Sequence, residues 1–211
     1  IGLSFANGLR ALVRQDPDII MVGEIRDQET VGLAINAALT GHLVLSTLHT
    51  NSAAGTVPRL LDMGAEDFLI TSTLRVIIGQ RLVRRLCDTR ESYFLSATEI
   101  KSLGERVDLN KVMALLVEEK VVKAGTDWSK VAFFRPKPSA DCADGYQGRI
   151  GIHEVMDMSL SIKELILSRA SAAKIEEQAK KEGMITMLED GIYKAARGVT
   201  TVEEVLRVVS E

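Results

Sequence analysis

Residues 15–27 read QDPDIIMVGEIRD, and the fold turns on the middle of that stretch. Ile19, Ile20, Met21 and Val22 form a run that is apolar at every position and mostly β-branched, as in a parallel strand covered on both faces. Pro17 keeps the residue before it out of a helix, and Gly23 ends the run. A carboxylate, Glu24, follows at once. In an open α/β sheet, ligands sit beyond the carboxyl ends of the strands. The run therefore carries an acid to the rim where chemistry is expected.

Upstream, residues 4–16 (SFANGLRALVRQD) space Phe5, Leu9, Leu12 and Val13 as one face of a helix, with Ser4 as its N-cap. Downstream, DQETVGLAINAALTG is a helix that begins at Asp27 or a neighbouring acid and ends before Gly41. HLVLSTLHT is a second buried strand. SAAGTVPRLLDMG is a helix, with Pro58 early enough to be tolerated. AEDFLITSTLRVIIGQRLVRRL begins helical and turns extended near Gly79. Strands alternating with helices predict an α/β fold with a parallel sheet, and residues 1–86 read as the second half of a doubly wound core.

The pattern changes after Leu86. Residues 87–147 read as a small inserted subdomain with two short helices, SATEIKSLGE and LNKVMALLVEEK, and a proline-containing loop, FRPKPSADCADGY. Residues 148–211 continue the strand GYQGRIGIHEVMDM back to the core. They then form a bundle of four short helices, punctuated at Ser168, Gly183 and Gly198, three of them opening on Ser or Thr caps.

With 211 residues and 46% hydrophobic but only 4% aromatic side chains, any core is built mainly of Leu, Ile, Val, Ala and Met. A net charge of −3 argues against bulk nucleic-acid binding. No apolar run reaches membrane-spanning length, and no signal peptide opens the chain, which reads as starting inside a domain. Cys87 and Cys142 stand far apart and form no disulfide framework, as expected in a reducing compartment.

Two rims carry the chemistry. Glu24 has the position of an acid that holds Mg²⁺ through water, or that orients and deprotonates a water attacking a phosphoryl group. Gly23 leaves room for the close approach of a phosphate. The alternatives are that Glu24 caps the next helix or pairs with Arg26. The second strand also ends in polar groups: Ser46, Thr47, His49, Thr50 and Asn51. His49 is placed to donate to a phosphate oxygen. His42, before that strand, falls at its opposite end, and His153 reads as structural. The chain contains no G-x-x-x-x-G-K-[ST] loop, so the usual phosphate cradle is absent from it.

The long stretch from LRALVRQDPDIIMVGEIRDQETVGLAINAALTGHLVLSTLHTNSAAGTVPRLLDMG, with FLITSTLRVIIGQRLVRRLC, GYQGRIGIHEVM and EGMITMLEDGIYKAARGVTTVEEVLRVVSE, closely resembles the secretion ATPases that drive type II secretion and type IV pilus assembly. The resemblance covers nearly everything outside residues 88–141. It implies the C-terminal half of a RecA-like P-loop NTPase core, with Walker A upstream. It makes DIIMVGEIRD the Walker B segment, with Glu24 acting on Mg²⁺ and water. It makes TGHLVLSTLHTN the histidine box, with His49 nearer the γ-phosphate than His42. Gly23, Glu24, Arg26, His42, His49 and Thr50 become nucleotide-binding candidates, with Glu24 and His49 catalytic and Arg26 organising the site or a subunit contact. ATP and Mg²⁺ are the implied cofactors. A homo-hexamer working on an inner-membrane platform protein from the cytoplasmic face is the implied setting, with no nucleic acid.

The departure lies in the insert. Assembly and secretion members of the family usually carry a C-x-x-C … C-x-x-C zinc subdomain there. Here Arg90 stands where the second cysteine belongs and only Cys142 remains of the other pair. Cys87 and Cys142 are therefore weak zinc candidates, since two thiolates do not complete a tetrahedral site. Phe133, Phe134, Trp128 and Tyr93 are candidates to hold the insert together without metal. The motor reading has two rivals: a non-catalytic scaffold module, and a DNA-transfer or conjugation motor.

Overall fold

The structure is a computed structural model and describes residues 5–210; the Ser4 cap and the side chain of Phe5 lie outside the described residues. The first stretch contains α1 (Phe5–Val13), β1 (Ile19–Val22), α2 (Gln28–Leu39), β2 (Leu43–Ser46), α3 (Thr56–Asp62) and α4 (Asp67–Thr73). Next come β3 (Val76–Leu86), β4 (Arg90–Phe94), α5 (Ala97–Gly104), α6 (Leu109–Glu118), a 3₁₀ turn (Trp128–Lys130) and β5 (Ala132–Pro136). The chain ends with β6 (Tyr146–Asp157), α7 (Leu160–Leu167), α8 (Ala172–Lys181), α9 (Met187–Ala196) and α10 (Val202–Val209).

These elements form two compact units. One holds the chain up to Gly79 together with Val155–Met184; the other holds Gln80–Glu154 and Ile185–Glu211. The strands β3 and β6 pair with each other.

In the first unit β1 and β2 pair in parallel, from Ile19 opposite Leu43 to Val22 opposite Ser46, and α2 makes the crossover. Asp27 is the N-cap of α2, its Oδ1 accepting from the Thr30 N–H at 2.8 Å. Gly41, past the end of the helix, takes a φ of +99°, open to glycine at little cost. Ile20 and Val22 are buried with Leu9, Val31, Ala34 and Ala37. Ile19 and Met21, by contrast, are 58% and 75% exposed, and Leu43 and Leu45 of β2 are 53% and 50% exposed. The expectation of strands covered on both faces is therefore corrected. Among the described residues, helices and core cover one face only, and side chains alternate across a strand, so every second apolar residue of β1 faces solvent. The extended segment also begins earlier than Gly79. Helix α4 closes at Thr73, where hydroxyls of Ser72 and Thr73 bind back to the Phe68 and Leu69 carbonyls, and Val76-Ile77-Ile78 then favours strand.

In the second unit β4 and β5 pair antiparallel, from Arg90 opposite Pro136 to Phe94 opposite Ala132. The start of the expected proline loop is thus a strand. Phe133 is fully buried, its ring 6.3 Å from Tyr93 and 6.4 Å from Trp128. Val112 and Leu116 of α6, Ile152 of β6, Ile192 of α9 and Val205 of α10 complete this second core. Helices α5 and α9 both open on capping boxes, Ser96 with Glu99 and Thr186 with Glu189.

The two cysteines are bonded to each other, which corrects both the zinc candidacy and the expectation of two separate thiols. Cys87 and Cys142 form a disulfide across a sequence separation of 55 residues. The backbone explains the approach: the Cys87 N–H donates to the Gly145 carbonyl at 3.0 Å, and Cys142 sits in a tight turn bonded both ways to Ser139.

Candidate functional site

The parallel pairing continues past the ends of the two strands. The Ile25 N–H donates to the Thr47 carbonyl at 3.0 Å, and the Thr47 hydroxyl donates to the Gly23 carbonyl at 2.6 Å. These two bonds fix residues 23–25 against residue 47 and aim the next side chains at a common point. There Glu24 Oε2 lies 2.7 Å from Arg26 Nε and 3.1 Å from His49 Nε2.

The cluster is open. The Glu24 side chain is 35% exposed, and those of Arg26 and His49 are 71% and 84% exposed. The Arg26 hydrogen bond holds the Glu24 carboxyl below the usual carboxylate range; the slight burial works the other way, and the His49 contact adds to the lowering. Glu24 is therefore an ionised acceptor at neutral pH with solvent in front of it. A Cβ placed on Gly23 would meet nothing within 4 Å. The glycine leaves free space at the rim rather than relieving an internal clash.

Gly23, Glu24, Arg26 and His49 thus come together as one site, and Arg26 meets Glu24 directly. Helix capping falls to Asp27, so that alternative for Glu24 does not apply. His42 and Thr50 are not part of the cluster. His42 precedes β2, its Nδ1 3.0 Å from the Thr40 hydroxyl and 2.9 Å from the Ala37 carbonyl. The Thr50 hydroxyl donates to the Ser52 carbonyl and lies 3.1 Å from the Thr56 hydroxyl. Thr47 was one of five polar residues at this strand end; its bond to the neighbouring strand is what sets it apart, and no local pattern signals that. His153 lies elsewhere, its backbone N–H donating to Asp190 Oδ2 at 2.7 Å and its ring Nδ1 3.8 Å from the same oxygen.

A second charged cluster, not anticipated from the sequence, lies in the other unit. Glu204 is 2% exposed. Its Oε2 accepts from Arg84 Nε at 3.1 Å and from Arg207 Nε at 3.1 Å, and its Oε1 accepts from the Arg84 N–H at 3.1 Å and from Arg207 Nη2 at 2.8 Å. Burial pushes the Glu204 carboxyl up, but the Arg207 and Arg84 bonds outweigh it and hold it at about 2. Arg84 also lies 4.0 Å over the Tyr146 ring. This acid is fully engaged and shielded, which suits fixing an element and not meeting a ligand.

Among the described residues no three His, Cys, Asp or Glu side chains gather as a metal-ligand set. Among the same residues no helix is long and apolar enough to cross a membrane.

Residues 1–207 match the family described as Type II/IV secretion system protein. The chain is 50% identical over 212 residues to the Type II secretion system protein E of Xanthomonas campestris pv. campestris, an alignment covering 100% of this chain and 34% of that protein. It is 46% identical over 210 residues to the Type IV pilus assembly ATPase PilB of Myxococcus xanthus, covering 98% of this chain and 34% of that protein. The chain therefore spans about a third of the length of these relatives. Among solved structures it is similar to the pilus retraction motor PilT with bound ADP, with a TM-score of 0.60 and 27% identity, over 97% of this chain and 43% of that one.

Proposed function

The chain belongs to the Type II/IV secretion system protein family, and from that premise we propose that it is the C-terminal half of a RecA-like motor domain that hydrolyses ATP in type II secretion or type IV pilus assembly. The observation that carries this reading is the meeting of Glu24, Arg26 and His49 at the carboxyl ends of two adjacent parallel strands, where nucleotides bind in such sheets. The uncovered apolar face of β1 and β2 supports the reading of a half-core, since a parallel sheet is ordinarily covered on both sides. Walker A, in this reading, lies upstream of residue 1.

Glu24 orients the attacking water. A carboxylate held below its usual range is a weak base, so its part is to accept a hydrogen bond from the water and to take the proton late, as the water oxygen bonds to phosphorus and ADP departs. That suits the loose transition state of phosphoryl transfer, in which positioning and charge dominate. Arg26 keeps Glu24 ionised and fixes its rotamer. His49, already on the same oxygen, turns its exposed ring toward the γ-phosphate. Thr47 and Gly23 hold the two strand ends in register.

A single, partly exposed carboxylate fits Mg²⁺, which commonly binds through one or two carboxylates, water and substrate phosphates. Glu24 is the residue of this chain that would hold it through water, and the ion would neutralise charge on the β- and γ-phosphates. His42 and Thr50 belong to the wider nucleotide-binding segment. Residues 1–86, 87–147 and 148–211 are the functional segments: core half, insert, and return strand with C-terminal helices. The intact protein works as a homo-hexamer on an inner-membrane platform protein, at the cytoplasmic face.

The test is made on the intact parent protein. It is expected to release phosphate from ATP, and bound nucleotide is expected to protect His49, but not His42, from ethoxyformylation by diethylpyrocarbonate. Equal modification of His49 with and without nucleotide contradicts the reading.

A further inference from the structure

Directly opposed residues of an antiparallel ladder share a face. One face of β4 and β5 carries Tyr93 and Phe133 and turns into the core. The other carries Arg90, Phe94, Ala132 and Phe134. On this second face Phe94, the cross-strand neighbour of Ala132, is 60% exposed. Ala132 and Phe134 also line a cavity of about 340 Å³ with Val121, Val122 and Arg197. Apart from Arg197 its lining side chains are apolar, which suits one or two bulky side chains and not a nucleotide.

Two guanidiniums flank this surface. Arg90 lies 5.0 Å over the Phe134 ring and donates to the Gly198 carbonyl at 2.6 Å. Arg197 lies 5.4 Å over the Tyr193 ring and donates to the Tyr193 hydroxyl at 3.1 Å. Both are held by neutral partners, and neither forms an ion pair among the described residues. The arrangement depends on Gly198. Its φ is +70°, and a Cβ there would lie 2.9 Å from Phe134 Cδ2 and 3.0 Å from Arg90 Cζ. Only glycine lets ring and guanidinium approach so closely.

An exposed aromatic, an apolar cavity and two cations lacking carboxylates complement one kind of ligand, a bulky apolar side chain flanked by acids. We propose that this face of the second unit docks an acidic, apolar peptide segment of a partner protein. The apolar side chain enters the cavity beside Phe134, and the carboxylates meet Arg197 and Arg90. Phe94 covers the segment from the side.

The test uses the intact parent protein and a fluorescein-labelled ten-residue peptide in which Leu-Phe pairs alternate with Asp and Glu. Saturable binding by anisotropy is expected, weakening as salt rises. Arg197→Glu and Phe94→Ser change exposed side chains, so both variants should keep the wild-type melting temperature and rate of phosphate release. Each should weaken peptide binding about tenfold or more. Equal affinity for a peptide with Lys in place of the acids, or unchanged affinity in both variants, overturns the proposal. So does an absence of peptide binding accompanied by a change in oligomeric state in Arg197→Glu, which would assign the surface to a contact between copies.

Discussion

Glu24 and Glu204 are each held by two nitrogen-bearing side chains, yet the two regions work in opposite ways. Glu204 is almost completely buried, and both of its oxygens are occupied by Arg84 and Arg207. Glu24 is a third exposed, and its partners Arg26 and His49 are mostly in solvent. One carboxylate has nothing left to offer a ligand; the other stands at a rim with free space in front of Gly23. Ion pairing alone therefore does not separate the two acids. Access to solvent and a location at the strand ends do.

The largest effect that would sharpen this contrast is Glu204→Ala. Removing the buried carboxylate leaves the half-exposed Arg84 and Arg207 without their acceptor, so the variant should lose about 3 kcal/mol of stability in urea unfolding. A loss of under about 1 kcal/mol would break the comparison. The pH dependence follows from the same group. The folded-state value of about 2 lies below the ordinary 4.5, so the stabilisation is full above about pH 4.5 and is lost as pH falls toward 2. The depression corresponds to about 3 kcal/mol. An acid titration of unfolding should show that loss in the wild type and a smaller one in Glu204→Ala.

The same unit is also held covalently. Closing a loop across 55 residues with a disulfide contributes about 2–4 kcal/mol. Cys87→Ser with Cys142→Ser should lower stability by that amount without changing phosphate release per folded molecule. The smallest of these effects is expected of Arg26. Arg26→Met removes the hydrogen bond that lowers the Glu24 carboxyl, so the acidic limb of the pH–rate profile should move to higher pH. An unmoved limb would detach Arg26 from Glu24.

The sequence showed one half of this comparison better than the other. The βαβ unit was legible because its signals are local: four apolar residues, a glycine, an acid, then a capped amphipathic helix ended by Gly41. Glu24 and His49 followed from the strand ends. The one-sided exposure of Ile19, Met21, Leu43 and Leu45 was not legible, since a short apolar run looks the same whether or not something covers its second face. The pairing of Arg90–Phe94 with Ala132–Pro136, the Cys87–Cys142 bond and the Arg84–Glu204 pair all depend on long-range contacts. Arg84 and Glu204 are 120 residues apart, and within TTVEEVLRVV Glu204 reads only as an acid in the first turn of a helix. Local pattern carries no information on which distant arginine will close over it.

The most direct test of the account compares ATP turnover of the intact protein with that of its Glu24→Gln variant, at matched nucleotide occupancy. Glutamine keeps the shape of the side chain and removes the charge and the proton acceptor. A fall in turnover of about 10²–10⁴-fold is expected, with nucleotide affinity and melting temperature close to wild type. Turnover at the wild-type rate in that variant would contradict it.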